Sequence, residues 1–280
     1  MRQRAIRNLA KLEMTRAMTT RVLDAAAGGK NNFSADRDLV RRYDQAASVT
    51  TTAARAVLQF LVRVVRHLAA EGVDQFVVVG SGVPSGLPPG GRLHDVAAGC
   101  HGGSGGVPVR VVYVENDPMV LAGARATIEP GTDLVRVVEG DVREIDAILG
   151  DRVVRAFLDW DRPVAVLLLS THSLADDEHV HYVISRVRRA ASDGSYLSLL
   201  QTTFDGVPGE LLPAVRDLLA MTLPGHAIRG RQEVAALLDG LVLVDPGLVW
   251  VPEWRPDDHG AACSGRPSSS GTYGAVARVP

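Results

Sequence analysis

Apolar positions follow two rhythms along this chain. Over Thr50–Ala70, the residues Ala54, Val57, Leu58, Leu61, Val65 and Leu68 recur at the three-and-four spacing of a helix with one buried face. From residue 76 the pattern changes to short apolar runs, FVVVG at 76–80, VRVVYV at 109–114, LVRVV at 134–138, VAVLLL at 164–169 and SYLSLL at 195–200. Runs without polar alternation suit strands covered on both faces, the environment of a parallel sheet. Between them lie helical segments. One, at 117–128, has Asp117 as N-cap and Pro118 in the first helical position, and another falls near 177–191. Strands alternating with helices predict a parallel sheet sandwiched between helical layers.

The two ends of the chain read differently. Residues from about 5 to 47 are helical in pattern but broken by GGKNNFS at 28–34. The final third predicts helices near 209–221 and 231–239, then closing strands at 241–244 and 273–279. Residues 252–271 are poor in apolar side chains and predict a mobile surface loop. The expected organisation is an N-terminal helical extension or lid over residues 1–70 and a Rossmann-like α/β domain over 71–280.

Composition narrows the partners. With 280 residues, 46% of them hydrophobic and 22% charged, the chain has the make-up of a globular protein, and a net charge of -2 gives no reason to expect nucleic acid or an anionic membrane. The basic excess before residue 22, with Glu13 as the lone acid, reads as a solvated helix face. No apolar run could serve as a signal-peptide core and the aliphatic stretch at 164–169 is far below a membrane span, so a cytoplasmic location is expected. Cys100 and Cys263 are expected to be free thiols, and no metal-ligand spacing stands out. The acids and histidines at His172, Asp176, Asp177, His179 and His181 are better explained as a helix start than as a metal site.

The chemistry lies at the strand ends, where an open α/β sheet binds its ligands. Gly80, Ser81 and Gly82 follow the first strand and allow close backbone approach. Glu115 ends the second, where a carboxylate can accept both hydroxyls of a ribose. Asp141, between Gly140 and Val142 after the third strand, can accept the exocyclic amine of adenine. Ser170, Thr171 and His172 end the fourth strand and face the reacting end of such a ligand. A dinucleotide fits less well: Ser85 occupies the place of the third fingerprint glycine, and Pro84 stands where a phosphate-cradling helix turn should begin. Glu115 lies 35 residues after Gly80, against about 20 in that fingerprint. The Gly-rich insertion at 99–106 accounts for the extra length, so spacing alone leaves the dinucleotide open.

These segments together resemble the actinobacterial S-adenosyl methyltransferase family, a former domain of unknown function. RVLDAAAGGKNNFSADR at 21–37 is similar to the family's N-terminal signature. QFVVVGSGVPS at 75–85, VVYVENDPMVLAGAR at 111–125, GDVRE at 140–144 and DPGLVWVPEWRPD at 245–257 match in order. The resemblance implies a class I methyltransferase sheet, mostly parallel with an antiparallel C-terminal strand. It also implies S-adenosyl-L-methionine as cofactor, held by Gly80, Ser81, Gly82, Glu115, Asn116, Asp141 and Val142, with Ser170 beside them. Lys30, Asn32 and Phe33 of the signature are then candidate pocket or lid residues, although Asn32 as a cap and Phe33 as a staple would equally suit a scaffold.

Methyl transfer is an in-line displacement, for which positioning supplies much of the rate. Where the acceptor must lose a proton, His172 is the candidate base. Three functional classes fit these residues: a methyltransferase acting on a small molecule, perceived through the resemblance as belonging to secondary metabolism; a protein of the same fold using the cofactor for another reaction or for regulation; and an NAD-linked oxidoreductase. The acceptor and the oligomeric state are not encoded in any motif.

Overall fold

Successive residues of the central strands feed opposite cores. The computed structural model describes residues 13–47, 50–80, 91–101, 107–257 and 262–279. In β1 (Gln75–Val79), Phe76 and Val78 join one core while Val77 and Val79 join the other. The same division holds in β2 (Arg110–Glu115), with Val111 and Tyr113 on one side and Val112 and Val114 on the other. In β4 (Ala165–Leu168) it separates Ala165 and Leu167 from Val166 and Leu168. A period of two with both sets apolar is what the uninterrupted runs require.

With β3 (Val135–Glu139), β5 (Tyr196–Thr202), β6 (Val242–Leu243) and β8 (Thr272–Arg278), the strands lie in the order β3-β2-β1-β4-β5-β8-β6, and β7 (Val249–Trp250) pairs with β8. Strands β1 to β5 pair in parallel and β8 runs antiparallel to β5. The chain winds outward from β1 to β3, then returns to place β4 on β1's other side, so a topological switch point falls between β1 and β4.

Helices α1 (Thr19–Ala26), α2 (Ser34–Ala47) and α3 (Thr50–Ala70) precede the sheet. The last of these belongs to the sheet's own core: Phe60, Leu61, Val64 and Leu68 pack with Phe76, Val78 and Leu167. Beyond β1 come α4 (Leu93–His101) and α5 (Pro118–Thr127), the latter capped by the Asp117 carboxylate, which accepts from the amides of Met119 and Val120. The opposite layer holds α6 (Ile145–Leu149), α7 (Arg152–Phe157), α8 (Asp177–Ala190) and, after α9 (Leu212–Thr222), α10 (Arg231–Leu237). Periodicity does not reveal α6 and α7, because five and six residues span less than two turns.

The expectation for residues 252–271 needs correction. Val251, Pro252 and Trp254 are buried, and Trp254 packs edge-on against Phe60 and His67 at 5.6 and 5.7 Å between ring centroids. The buried Arg63 of α3 donates to the carbonyls of Trp254 at 2.8 Å and Val251 at 2.7 Å. A segment poor in apolar side chains conceals this anchor, because a single tryptophan can bury a large apolar surface. Cys100 and Cys263 are free thiols. Among the described residues no helix is long and apolar enough to cross a membrane.

Candidate functional site

A crevice of about 330 Å³ runs across the carboxyl ends of the first four strands. Val79 and Gly80 from β1, Asn116 after β2, Gly140 to Arg143 after β3, and Ser170 and Ser173 after β4 form its floor. Arg16 to Thr20 and Leu223 to His226 form the facing wall. Gly80 adopts φ +79°, and a Cβ there would lie 2.3 Å from Ser170 Oγ. The sharp exit from β1 therefore demands glycine and brings Ser170 against it. Ser81 and Gly82 lie outside the described residues.

On the β2–β3 side, Asn116 and Asp141 meet: the Asn116 amide donates to Asp141 Oδ2 at 2.8 Å. The Arg143 side chain and backbone donate to the same carboxylate, with Nε and the amide nitrogen each 2.9 Å from Oδ1. Burial alone would raise the Asp141 carboxyl, but these hydrogen bonds outweigh it and bring it down to about 2. Asp141 is thus an ionised carboxylate at the crevice edge, held by hydrogen bonds from Asn116 and Arg143. Val142 is buried and lines the floor beside it.

Glu115 is placed deeper. It is buried, and its Oε1 accepts from the backbone amides of Asn116 and Asp117 at 3.0 Å each. It lies beneath the Asn116 turn and is not among the residues forming the crevice surface.

The glycine-rich signature forms a tight knot behind the wall. Asp24 Oδ2 accepts from the Asn31 amide at 2.8 Å and from the Asn32 side chain at 2.9 Å. Gly28 takes φ +80°, and a Cβ on Gly29 would fall 2.1 Å from Asp24 Oδ1, which explains the paired glycines. Asn32 is buried in this knot and accepts from Arg37 Nη1 at 2.7 Å. Lys30 is exposed, and Phe33 lies under the Arg21 guanidinium at 5.0 Å. None of Lys30, Asn32 and Phe33 lines the crevice; the signature instead shapes the approach of residues 16–20, which do.

His172 does not line the crevice either. It is buried on the far side of the β4 loop, where burial, with the nearby His226 and the Arg229 charge, pushes its imidazole down to about 3. His226 stacks on it at 5.0 Å between centroids with 21° between ring planes, and reaches the crevice itself. No motif announces His226. Its place depends on backbone bonds between loops distant in sequence, such as Ala227 N to His172 O at 2.7 Å, and on Gln201 Nε2 donating to the Ala227 carbonyl at 2.8 Å. Arg16 and Thr19 were equally hidden, inside a stretch whose basic residues suggest only a solvated helix.

The sequence matches a family described as S-adenosyl methyltransferase over residues 6–280. Two solved structures superpose closely. A candidate methyltransferase from Thermobifida fusca is 31% identical, covers 95% of this chain and 96% of its own, and gives a TM-score of 0.82. A DUF574 family protein from Streptomyces avermitilis is 30% identical, with 96% and 100% covered and a TM-score of 0.83. The search of curated proteins found no match.

Proposed function

The chain belongs to the S-adenosyl methyltransferase family and is an S-adenosyl-L-methionine-dependent methyltransferase, and from that premise we propose that it methylates a small molecule, in secondary metabolism, with the crevice over β1 to β4 as its cofactor site. The observation that carries the cofactor assignment is the donor set at the strand ends. Adenine needs an acceptor for its amine, which Asp141 offers in ionised form beside the Asn116 amide. We assign the ribose to Glu115, whose buried carboxylate underlies the Asn116 turn at the crevice floor. Gly80 and Ser170 line the crevice at the switch point, the end assigned to the amino-acid portion of the cofactor.

Bound there, the cofactor supplies an electrophilic methyl group on a sulfonium. The protein's task is to hold an acceptor atom about 3–3.5 Å from that carbon and in line with the bond to be broken. The wall formed by Arg16 to Thr20 and Leu223 to His226 limits water entry and restricts the direction of approach. Lys30, Asn32 and Phe33 serve as scaffold for this wall, while His172 is held neutral and contributes a polar surface rather than a strong base.

The test is transfer of labelled methyl groups from S-adenosyl-L-methionine into fractionated cell extract. Label in a small-molecule fraction with matching release of S-adenosylhomocysteine is the expected result. Label confined to protein or nucleic acid, or a different cofactor-derived product, would overturn the proposal.

A further inference from the structure

A second cavity of about 280 Å³ opens beside the crevice and shares Thr19, Leu223 and His226 with it. Its walls include Val22, Tyr43 and Val57 from the three N-terminal helices, Leu169 just after β4, Leu200 of β5, and Leu219 of α9. Among the described residues no Asp, Glu, Lys or Arg lines it; its polar side chains are hydroxyls and the imidazoles of His172 and His226. An ionised ligand would lose its hydration there without gaining a counter-charge. An apolar one would be well matched to the walls.

The shared boundary is arranged around one lone pair. His226 Nδ1 lies 2.9 Å from the Leu223 carbonyl, which can only accept, so the neutral ring carries its proton on Nδ1. Nε2 is then an acceptor, 3.0 Å from the Thr19 hydroxyl. His172, buried and stacked behind, makes no side-chain hydrogen bond among the described residues, so its ring adds hydrogen-bonding capacity beside His226 in an otherwise apolar space.

We propose that this cavity receives the methyl acceptor, an uncharged and largely apolar small molecule bearing a hydroxyl group, and that His226 takes the hydroxyl proton. The proposal rests on the cofactor assignment of the adjoining crevice. The acceptor oxygen enters at the shared boundary in place of the Thr19 hydroxyl. Its lone pair forms the new bond to the methyl carbon while the carbon–sulfur bond breaks, and the electrons of that bond remain on sulfur as a neutral thioether. The O–H proton passes to Nε2 of His226, which becomes an imidazolium and later returns the proton to solvent. His226 is thus the catalytic residue, and Thr19 is a positioning residue that holds its ring until the acceptor arrives.

Calorimetry on the full chain separates the two assignments. With the protein saturated by S-adenosylhomocysteine, 2-naphthol and 2-naphthalenemethanol are titrated beside 2-naphthoate and 2-naphthylmethylammonium. At least one neutral probe should bind tenfold or more tightly than either ion. Val57→Trp on α3 and Leu219→Trp on α9, which obstruct the cavity from different helices, should each weaken that binding at least tenfold while S-adenosylhomocysteine affinity stays within twofold. Absence of S-adenosylhomocysteine binding to the unmodified protein would overturn the crevice assignment. Normal S-adenosylhomocysteine binding with no neutral preference, or with preference unaffected by either obstruction, would overturn the cavity assignment alone. With S-adenosyl-L-methionine present, the bound neutral probe should be methylated, and His226→Gln should lower kcat at least tenfold with KM within threefold. No methylation of any bound probe, or a loss expressed in KM instead, would remove His226 from its role.

Discussion

Single residues at the strand ends bear directly on affinity. Gly80→Ala would combine positive φ with a Cβ 2.3 Å from Ser170 Oγ. A residue forced into that backbone region costs about 1–3 kcal/mol, so both a lower unfolding midpoint in urea and at least tenfold weaker cofactor binding by calorimetry are expected. Wild-type values for both would show that the β1 exit can rearrange freely. Glu115→Ala should also lower S-adenosyl-L-methionine affinity at least tenfold, since a hydrogen bond to a charged group contributes about 1.5–3 kcal/mol; unchanged affinity would sink the ribose assignment. The pH dependence belongs to His226. Burial, followed by the charges of Arg143 and Arg16, lowers its pKa below the ordinary 6.5, against opposing hydrogen bonds to the Leu223 and Pro224 carbonyls, with Thr19 and His172 the other groups facing the ring. The neutral form is the working one, so the methylation rate should be flat above pH 6.5 and fall only as the pH drops through the lowered pKa. A limb rising through 7 to 8 would contradict it. The strand-end positions of Asp141 and Glu115 were legible because strand ends and their acids can be read locally, but the burial of Glu115 beneath the Asn116 turn was not. His226 was not, because only the folding of loops near 172, 201 and 227 against one another brings it to the site.

Among the elements, the N-terminal helices act through one buried guanidinium. Arg21 Nε and Nη1 each lie 3.0 Å from a carboxylate, Asp36 of α2 and Asp117 at the cap of α5, and all three residues are almost completely buried. Nη2 donates to the carbonyls of Glu13 at 2.9 Å and Arg16 at 2.6 Å. One side chain therefore fastens the crevice wall at residues 16–20 to the turn that follows Glu115. Breaking a buried ion pair on one side leaves an uncompensated charge and costs about 3–5 kcal/mol. Arg21→Ala should lose stability of that order in urea unfolding and weaken S-adenosylhomocysteine binding in the folded fraction. Arg21→Lys keeps the charge but not the fork, and should recover only part of either. Loss of stability without loss of affinity would mean that the wall does not depend on this strap. The GGKNNF signature was recognisable as a motif, but this role was not. Pairing between positions 21, 36 and 117 leaves no periodic trace, and the neighbouring glycines draw attention to the turn instead.

At the scale of the whole molecule, the sheet was legible because every central strand is apolar on both faces. Its short covering helices and the Trp254 anchor were not, because neither fills a window long enough to show a period. The crevice wall and floor draw on segments from Arg16 to His226, joining the start of α1, four strand ends and the loop after α9. A ligand that bridges them binds only the assembled fold, so its binding free energy adds to global stability. At a hundred times its Kd a ligand contributes about 2.7 kcal/mol. At roughly 2–4 °C per kcal/mol for a domain approaching this size, S-adenosylhomocysteine should raise the Tm by about 5–10 °C. NAD at the same concentration should leave it unchanged, since Ser85 and Pro84 replace the fingerprint positions that would seat a pyrophosphate. A comparable shift with NAD, and none with S-adenosylhomocysteine, would mean that the strand-end carboxylates serve a different nucleoside. Glu115→Ala should reduce the S-adenosylhomocysteine shift through weaker binding, whereas Val57→Trp should leave it intact, because Val57 borders only the apolar cavity.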